Sequence, residues 1–194
     1  PNMVLGRSNK FFIKYCEKIF CYSDEIKNFP IKYINKINVI PALLRKKFYE
    51  IKKEKSIDEY INLLVIGGSQ GAKIFDSLIK NSIIELSQRY SLKIYQQTNS
   101  VNFDNLEKFY KKNNINHELF NFDEDISSLM SKTNICVTRA GASTLAELVF
   151  LNLPFVAIPL PTSNDNHQFE NAFFYNNIGC NWIINQSEIK DENI

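Results

Sequence analysis

Short apolar runs alternate with longer amphipathic segments from residue 61 to the end of the chain. Strands are predicted at Ile61–Ile66 and Leu92–Gln97, and then at 117–122, 134–138, 155–158 and 181–184. Helices are predicted between them, ending near residue 89 and then at 104–113, 124–131, 144–151 and 165–177. Apolar strands separated by helices are typical of a parallel sheet covered on both faces. The pattern predicts a doubly wound α/β domain with its ligand at the carboxyl ends of the strands.

The first 60 residues follow a less regular pattern. Residues 5–16 are predicted to form a helix, 18–22 and 36–40 short strands, and 43–53 a basic helix. A polar stretch then leads to Glu59, so a domain boundary is expected between about 23 and 60. Because the chain begins with Pro1 inside a segment with the pattern of ongoing structure, we expect it to be a piece of a longer protein.

Composition and charge exclude several classes of protein. The 194 residues are 44% hydrophobic and 23% charged, which is typical of a globular chain. The net charge of +2 lacks the basic excess expected of a nucleic-acid-binding domain. The four cysteines form no C-x-x-C pair, which favours buried thiols in a reducing compartment. No apolar run reaches the ~18–20 residues of a membrane-spanning helix.

The turn after the first of these strands, Gly67 to Ala72, reads Gly-Gly-Ser-Gln-Gly-Ala. Glycines allow backbone amides to approach an anion, and the start of the following helix adds partial positive charge. The turn matches neither the P-loop nor the dinucleotide-binding pattern, and no acidic residue ends the next strand to hold a ribose. It predicts a phosphate site, and a tight turn without a ligand remains the alternative.

The turn after residues 134–138 carries Arg139, one of only four arginines, followed by small residues up to Thr144. Thr144 and Glu147 have the spacing of a capping box, in which Glu147 would bond back to the Thr144 amide. Alternatively, the two oxygens of Glu147 accept both hydroxyl protons of a ribose diol. The sequence leaves these two roles open.

The turn after residues 155–158 runs from Pro159 into a polar helix. His167, Gln168 and Asn171 lie within one turn of that helix, where an imidazole and two amides suit the hydroxyl groups of a sugar. An ordinary polar helix face is the alternative. Together, the three turns predict an anion site, a diol acceptor and hydroxyl-binding groups at one edge of the sheet, which is a pocket for a nucleotide-diphosphate sugar.

These motifs resemble the MurG family of GT-B glycosyltransferases, which transfer N-acetylglucosamine from UDP-N-acetylglucosamine to a lipid-linked muramyl-pentapeptide. The resemblance covers GGSQGA at 67–72, RAGASTLAE at 139–147, the Pro-to-Ala motif at 159–172 and the opening segment 2–9. It implies a Rossmann-like donor-binding domain at 41–194, lacking its last helix, and the tail of an acceptor domain at 1–40.

The resemblance also implies a donor site. Ser69 and Gln70 would meet the phosphate and ribose, Phe122 the uracil, Glu147 the ribose hydroxyls, and His167 with Gln168 the sugar. Arg139 is expected near the diphosphate, where it would make a charge-assisted contact. The complete set of donor-binding candidates is Asn2, Gly68, Ser69, Gln70, Gly71, Phe122, Arg139, Ala142, Ser143, Thr144, Glu147, His167 and Gln168.

Catalysis and location follow from the same resemblance. The family inverts the anomeric centre and contributes to peptidoglycan synthesis. No metal cofactor is expected from the motifs of this sequence. The catalytic base is expected in the upstream domain, so this piece should bind donor but be inactive alone. Peripheral attachment to the cytoplasmic face of the bacterial plasma membrane is expected, mainly through the upstream domain. No nucleic-acid partner is expected.

The sequence departs from the family at two places. Gln96-Gln97-Thr98-Asn99 replaces a usual His-Gln-Thr-Gly run, and Arg45 does not align with the arginine that usually follows the segment around Pro41. Three other functions stay open: another UDP-sugar GT-B enzyme or sugar epimerase, a non-catalytic donor-binding subunit, and a dinucleotide-binding oxidoreductase.

Overall fold

The computed structural model of the protein describes residues 2–51, 59–67 and 74–189. The strands in these ranges are β1 (Ile19–Cys21), β2 (Ile37–Val39), β3 (Ile61–Ile66), β4 (Leu92–Gln97), β5 (Asn116–Phe120), β6 (Ile135–Thr138), β7 (Phe155–Ala157) and β8 (Asn181–Ile183). The α-helices are Arg7–Phe12, Lys46–Glu50, Lys80–Arg89, Ser100–Lys112, Ile126–Ser131, Ala142–Phe150 and His167–Asn177, and residues 74–78 are also helical. Short 3-10 helices lie at Ile13–Tyr15, Ile31–Lys36, Asn164–Asn166 and Gln186–Glu188.

Six strands form one parallel sheet in the order β5-β4-β3-β6-β7-β8. The chain moves outward from β3 to β5 on one side, then returns to β6 beside β3 and continues to β8 on the other. Such a reversal opens a crevice at the carboxyl ends of the two central strands. The doubly wound α/β prediction is confirmed, and the crevice lies at the end of β3 and β6.

Alternate residues of β3 enter two separate cores, one on each face of the sheet. Leu63 and Val65 pack with Phe75 and Tyr110 on one face. Leu64 and Ile66 pack on the other face, in the core that also contains Phe48 and Leu145. Because successive side chains of a strand point to opposite faces, a strand buried on both sides needs apolar residues at nearly every position.

Most predicted elements are present, with shifts at their ends. β3 and β4 match at both ends, and the other predicted strands of this sheet shift by one or two residues. The helix predicted at 104–113 begins earlier, at Ser100, because the Asn99 side chain accepts from the Asn102 amide and caps it. Within the described part of the basic helix predicted at 43–53, residues 43–51, the helix covers Lys46–Glu50, and its Phe48 is buried in the core.

Residues 2–39 form a smaller unit that contacts the large sheet domain at several points. β1 and β2 form a two-stranded parallel sheet, and the helix expected at 5–16 is an α-helical stretch followed by a 3-10 turn. The Met3 amide donates to Asn171 Oδ1 at 2.9 Å, and Lys27 forms an ion pair with Glu170. No helix within the described ranges has the length and apolarity that a bilayer crossing requires. The domain limits at 40 and 41 stay a prediction.

Candidate functional site

A cleft of about 300 Å³ lies at the carboxyl ends of β3 and β6. Ile66 and Gly67 line it from the end of β3, and Thr138, Arg139 and Gly141 line it from the end of β6. This is the position at which doubly wound sheets bind ligands. The cleft therefore forms at the place that the strand pattern predicts.

The first predicted turn lies largely outside the described residues. Gly68, Ser69, Gln70 and Gly71 fall in this segment, so their donor contacts stay predictions. Gly67 is described, and its amide donates to Gln97 Oε1 at 3.2 Å. Gln97 also lines the cleft, so β4 contributes to the site through the residue at its end.

The second turn leads into the nine-residue helix Ala142–Phe150. Gly141 is its N-cap in an extended conformation, with φ −69° and ψ 131°, and no side chain caps it. Of the two roles left open for Glu147, the capping box with Thr144 does not form, because the helix begins at Ala142, two residues before Thr144. The amides of Ala142, Ser143 and Thr144 lie in its first turn, where they have no intrahelical acceptor. Gly141 and Thr144 line the cleft, so partial positive charge lies at its edge.

Glu147 is held by an arginine that the sequence left without a role. Arg45 Nε donates to Glu147 Oε1 at 2.8 Å, and Arg45 Nη2 donates to Glu147 Oε2 at 2.9 Å. The Glu147 side chain is 5% exposed and the Arg45 side chain 56% exposed, and both residues line the cleft. A buried carboxylate is thus compensated by a guanidinium that reaches the cleft from a segment 102 residues away.

Arg139 is bound mainly by the protein itself. Its Nη1 donates to the carbonyl oxygens of Ile158 and Pro159, at 3.0 and 3.2 Å, and its Nη2 donates to Gln186 Oε1 at 2.8 Å. The guanidinium also lies over the Phe75 ring, 5.1 Å from its centre. Arg139 is 5% exposed, and burial lowers the pKa of its guanidinium. Although Arg139 lines the cleft, the diphosphate contact expected of it stays a prediction.

Gln168 and Asn171 fix the turn after β6 from the neighbouring helix. Gln168 Oε1 accepts from the amides of Ala140 and Leu160, at 3.2 and 2.9 Å. Asn171 Nδ2 donates to the Ala140 carbonyl oxygen at 3.1 Å. Gln168 lines the cleft, and its Nε2 donors have no partner among the described residues.

His167 and Asn2 lie at a different cavity. A cavity of about 390 Å³ is lined by both residues together with Arg7, Asn9 and Asp165, and neither His167 nor Asn2 lines the cleft. His167 Nδ1 lies 2.7 Å from the Asn164 carbonyl oxygen. The helix expected from 165 begins at His167, because Asp165 and Asn166 have positive φ angles. The donor contacts of His167 and Asn2 stay predictions.

Phe122 lies at the mouth of the cleft with 79% of its surface exposed. Phe120 and Ile126 line the cleft beside it and provide an apolar floor. Little of the protein covers the Phe122 ring, so it is available to a flat ligand group. The sequence placed Phe122 in the site only by family resemblance, since an exposed aromatic in a loop has no signal of its own.

Gln96, the departure from the family pattern, does not line the cleft. It is fully buried, donates from Nε2 to Asp76 Oδ1 at 2.9 Å, and accepts from the Tyr110 hydroxyl. Thr98 and Asn102 donate to the other carboxylate oxygen of Asp76, each at 2.8 Å. Burial and the Asp76 charge raise the pKa of Tyr110. The substitution therefore belongs to a buried hydrogen-bond network that supports the end of β4.

The described ranges contain no group of three or more His, Cys, Asp or Glu residues able to hold a metal ion. A metal-free donor site stays a prediction.

Comparisons with known proteins converge on one family. Residues 62–194 match the model of the glycosyltransferase family 28 C-terminal domain. The whole chain is 65% identical to UDP-N-acetylglucosamine--N-acetylmuramyl-(pentapeptide) pyrophosphoryl-undecaprenol N-acetylglucosamine transferase of Pelagibacter ubique (strain HTCC1062) and covers 54% of it. It is 34% identical to the transferase of the same name from Rickettsia bellii (strain RML369-C), covering 56% of that protein.

A solved structure shares the fold. The crystal structure of Acinetobacter baumannii MurG matches 98% of this chain with a TM-score of 0.79 and 26% identity, and the match covers 53% of that protein. The chain therefore spans about half the length of the relatives that it matches. The Rossmann-like, GT-B-type fold expected from the sequence is confirmed.

Proposed function

The chain belongs to glycosyltransferase family 28, and on that premise we propose that it binds the donor UDP-N-acetylglucosamine in the cleft at the ends of β3 and β6. The supporting observation is that the first-turn amides of the helix Ala142–Phe150 lie at the edge of the same cleft as Glu147 and Gln168. A nucleotide-diphosphate sugar needs an anion site, a diol acceptor and hydroxyl-binding groups within one pocket.

Each part of the donor has a chemically suited partner. The amides of residues 142–144 bind the diphosphate, because helix N-termini attract anions. The two oxygens of Glu147 accept from the ribose hydroxyls, and the Nε2 donors of Gln168 bind a hydroxyl of the sugar. Phe122 stacks against the uracil. His167 and Asn2 bind at the sugar end of the donor only if the sugar extends toward the second cavity.

The relatives are about twice as long as this chain. We propose that the full-length protein transfers N-acetylglucosamine to the C4 hydroxyl of an undecaprenyl-pyrophosphoryl muramyl-pentapeptide. The transfer inverts the anomeric centre and serves peptidoglycan synthesis. As the glycosidic bond to UDP breaks, negative charge builds up on the leaving diphosphate. Amides already oriented at the start of the helix stabilise that charge without reorganisation. The lipid-linked acceptor places the enzyme at the cytoplasmic face of the plasma membrane as a peripheral protein.

Calorimetric titration of the 194-residue chain with UDP-N-acetylglucosamine tests the donor site. We expect saturable binding, and a loss of tenfold or more in affinity for Glu147→Gln, since a hydrogen bond to a charged group contributes about 1.5–3 kcal/mol. Glu107→Gln is the matched control, because Glu107 is a partly exposed carboxylate that pairs with Lys111 and does not line the cleft.

Circular dichroism establishes that each variant is folded at the temperature of the titration. Two results contradict the proposal: a wild-type chain that does not bind UDP-N-acetylglucosamine, or a folded Glu147→Gln chain that binds it as tightly as wild type. Tighter binding of NAD than of UDP would instead favour a dinucleotide-binding oxidoreductase.

A further inference from the structure

Arg45 and Glu147 form a bidentate ion pair at the cleft. Two parallel N–H···O bonds, at 2.8 and 2.9 Å, join one edge of the guanidinium to both carboxylate oxygens. This geometry fixes the plane of the carboxylate as well as its position. Each oxygen retains a second lone pair, so Glu147 can accept two further hydrogen bonds while the pair stays intact.

Arg45 is itself fixed by its surroundings, although its side chain is half-exposed. Its backbone is the N-cap of the helix Lys46–Glu50, and its carbonyl oxygen accepts from the Phe48 amide at 3.0 Å. The guanidinium lies over the ring of Phe48, 5.1 Å from the ring centre. Phe48 is 1% exposed in the core beneath the cleft. The buried Phe48 ring thus orients the Arg45 guanidinium, and the guanidinium in turn orients the Glu147 carboxylate.

Glu147 needs such a partner because its side chain is nearly buried. A buried carboxylate without a nearby cation is destabilised by desolvation, which favours the neutral acid. A protonated carboxyl group donates through one oxygen and no longer offers two equivalent acceptors. Arg45 is the cation that bonds to both oxygens, so it compensates the buried charge and leaves each oxygen a lone pair for a further donor.

We propose that Arg45 is a positioning residue that acts through Glu147 and sets the preference of the cleft for a ribose over a 2′-deoxyribose nucleotide. The inference rests on the proposed function, because it concerns the ribose of the same uridine nucleotide. Arg45 does not need to touch the nucleotide in this role. A direct contact between Arg45 and the diphosphate is the competing explanation, and it predicts a different pattern of affinities.

The test compares UDP with 2′-deoxy-UDP by calorimetric titration of the 194-residue chain. Wild type is expected to bind UDP about tenfold or more tightly than 2′-deoxy-UDP, as expected for the loss of one hydrogen bond to a carboxylate. Arg45→Gln is expected to reduce this ratio to less than about threefold. Glu147→Gln is expected to do the same, and the double variant is expected to show no further reduction, because both changes remove one coupled unit.

Lys46→Gln is the matched control, since Lys46 is an exposed cation on the same helix that pairs with Glu50 and does not line the cleft. It is expected to retain the wild-type ratio. Arg45→Lys keeps the positive charge but lacks the planar guanidinium that bonds to both carboxylate oxygens. Its ratio of UDP to 2′-deoxy-UDP affinity is expected to be less than half of the wild-type ratio. The double variant removes both charges together, so it remains informative if Arg45→Gln leaves Glu147 unpaired and the chain unfolded.

Two outcomes would overturn the positioning role of Arg45. If Arg45→Gln weakens UDP and 2′-deoxy-UDP equally and leaves their ratio at the wild-type value, Arg45 contacts the phosphates and the positioning role is overturned. If the wild-type chain binds UDP but does not discriminate against 2′-deoxy-UDP, the positioning role is also overturned while the donor site stands. Failure of the wild-type chain to bind UDP overturns the donor site itself.

Discussion

Arg139 and Arg45 line one cleft but belong to differently built regions of the molecule. Arg139 follows a central strand, is buried, and donates to two backbone carbonyls and to Gln186. Arg45 lies in the segment between the small unit and the sheet domain, is half-exposed, and pairs with a carboxylate. The first guanidinium connects the segment that follows β7 to the 3-10 helix Gln186–Glu188, and the second orients a candidate ligand-binding group.

This difference shows that two arginines at one cleft can have different hydrogen-bond partners. The sequence contains four arginines, and Arg139, which precedes a run of small residues, was expected near the diphosphate. Its Nη1 donates to two main-chain oxygens, which are costly to leave unpaired inside a protein, and its Nη2 donates to Gln186, while the diphosphate contact stays a prediction. The distribution of hydrogen-bond acceptors around a guanidinium is therefore more informative than its position in a motif.

The largest effect is expected from Arg139→Met. This change leaves the carbonyl oxygens of Ile158 and Pro159 without their donor, and we expect the free energy of unfolding to fall by about 3 kcal/mol. Denaturant unfolding measures the loss. Arg89→Met, at an exposed arginine in the last turn of Lys80–Arg89, is the control and should change stability by less than about 0.5 kcal/mol.

Arg139→Met also tests whether Arg139 stabilises the fold or binds the ligand. If the variant were as stable as wild type but bound UDP-N-acetylglucosamine much more weakly, Arg139 would be a ligand-binding residue like Glu147, and the contrast between the two arginines would be lost.

An intermediate effect, on binding alone, is expected from Phe122→Ala. With 79% of Phe122 exposed, its removal should change stability by less than about 0.5 kcal/mol. Loss of an aromatic contact worth about 0.5–1.5 kcal/mol should weaken UDP binding by roughly two- to tenfold. Val101→Ala, at a side chain that is 75% exposed and does not line the cleft, serves as the control and should leave both quantities unchanged. Equal UDP affinity in Phe122→Ala would remove Phe122 from the site.

The smallest effect is expected from Thr144→Ala, in the first turn of the helix Ala142–Phe150. Since Gly141 is the N-cap and makes no side-chain bond, the loss of the Thr144 hydroxyl should cost less than about 0.5 kcal/mol of unfolding free energy. Denaturant unfolding checks this value. A loss above about 1 kcal/mol would mean that Thr144 caps the helix after all and that the start of Ala142–Phe150 depends on a side chain.

The sheet could be predicted from the sequence because its signal is local. Apolar residues at nearly every position of β3 reflect burial on both faces, and the glycine-rich or small-residue turns mark the ends of the strands that meet at the cleft. Helix starts were harder to predict, since the backbone can begin a helix without a capping side chain, as it does at Gly141. The sequence therefore placed the cleft correctly but did not locate the start of the helix Ala142–Phe150.

The partners of the site residues depend on tertiary structure. Arg45 meets Glu147 only because Phe48 anchors the helix Lys46–Glu50 in the core, and no spacing in the sequence encodes that contact. The sequence also could not separate His167 from Gln168, for a related reason. Neighbouring residues of one helix point in directions about 100° apart, so Gln168 reaches the cleft while His167 lines another cavity.

Asn171 connects the beginning of the chain to the cleft through a single carboxamide. Its Oδ1 accepts from the Met3 amide while its Nδ2 donates to the Ala140 carbonyl oxygen, which precedes the N-cap of the helix Ala142–Phe150 by one residue. The Met3 amide is thereby protected from exchange with solvent deuterium until this contact opens. Its exchange rate reports how often the first residues detach, and each detachment removes one of the hydrogen bonds that orient the Asn171 carboxamide beside the cleft.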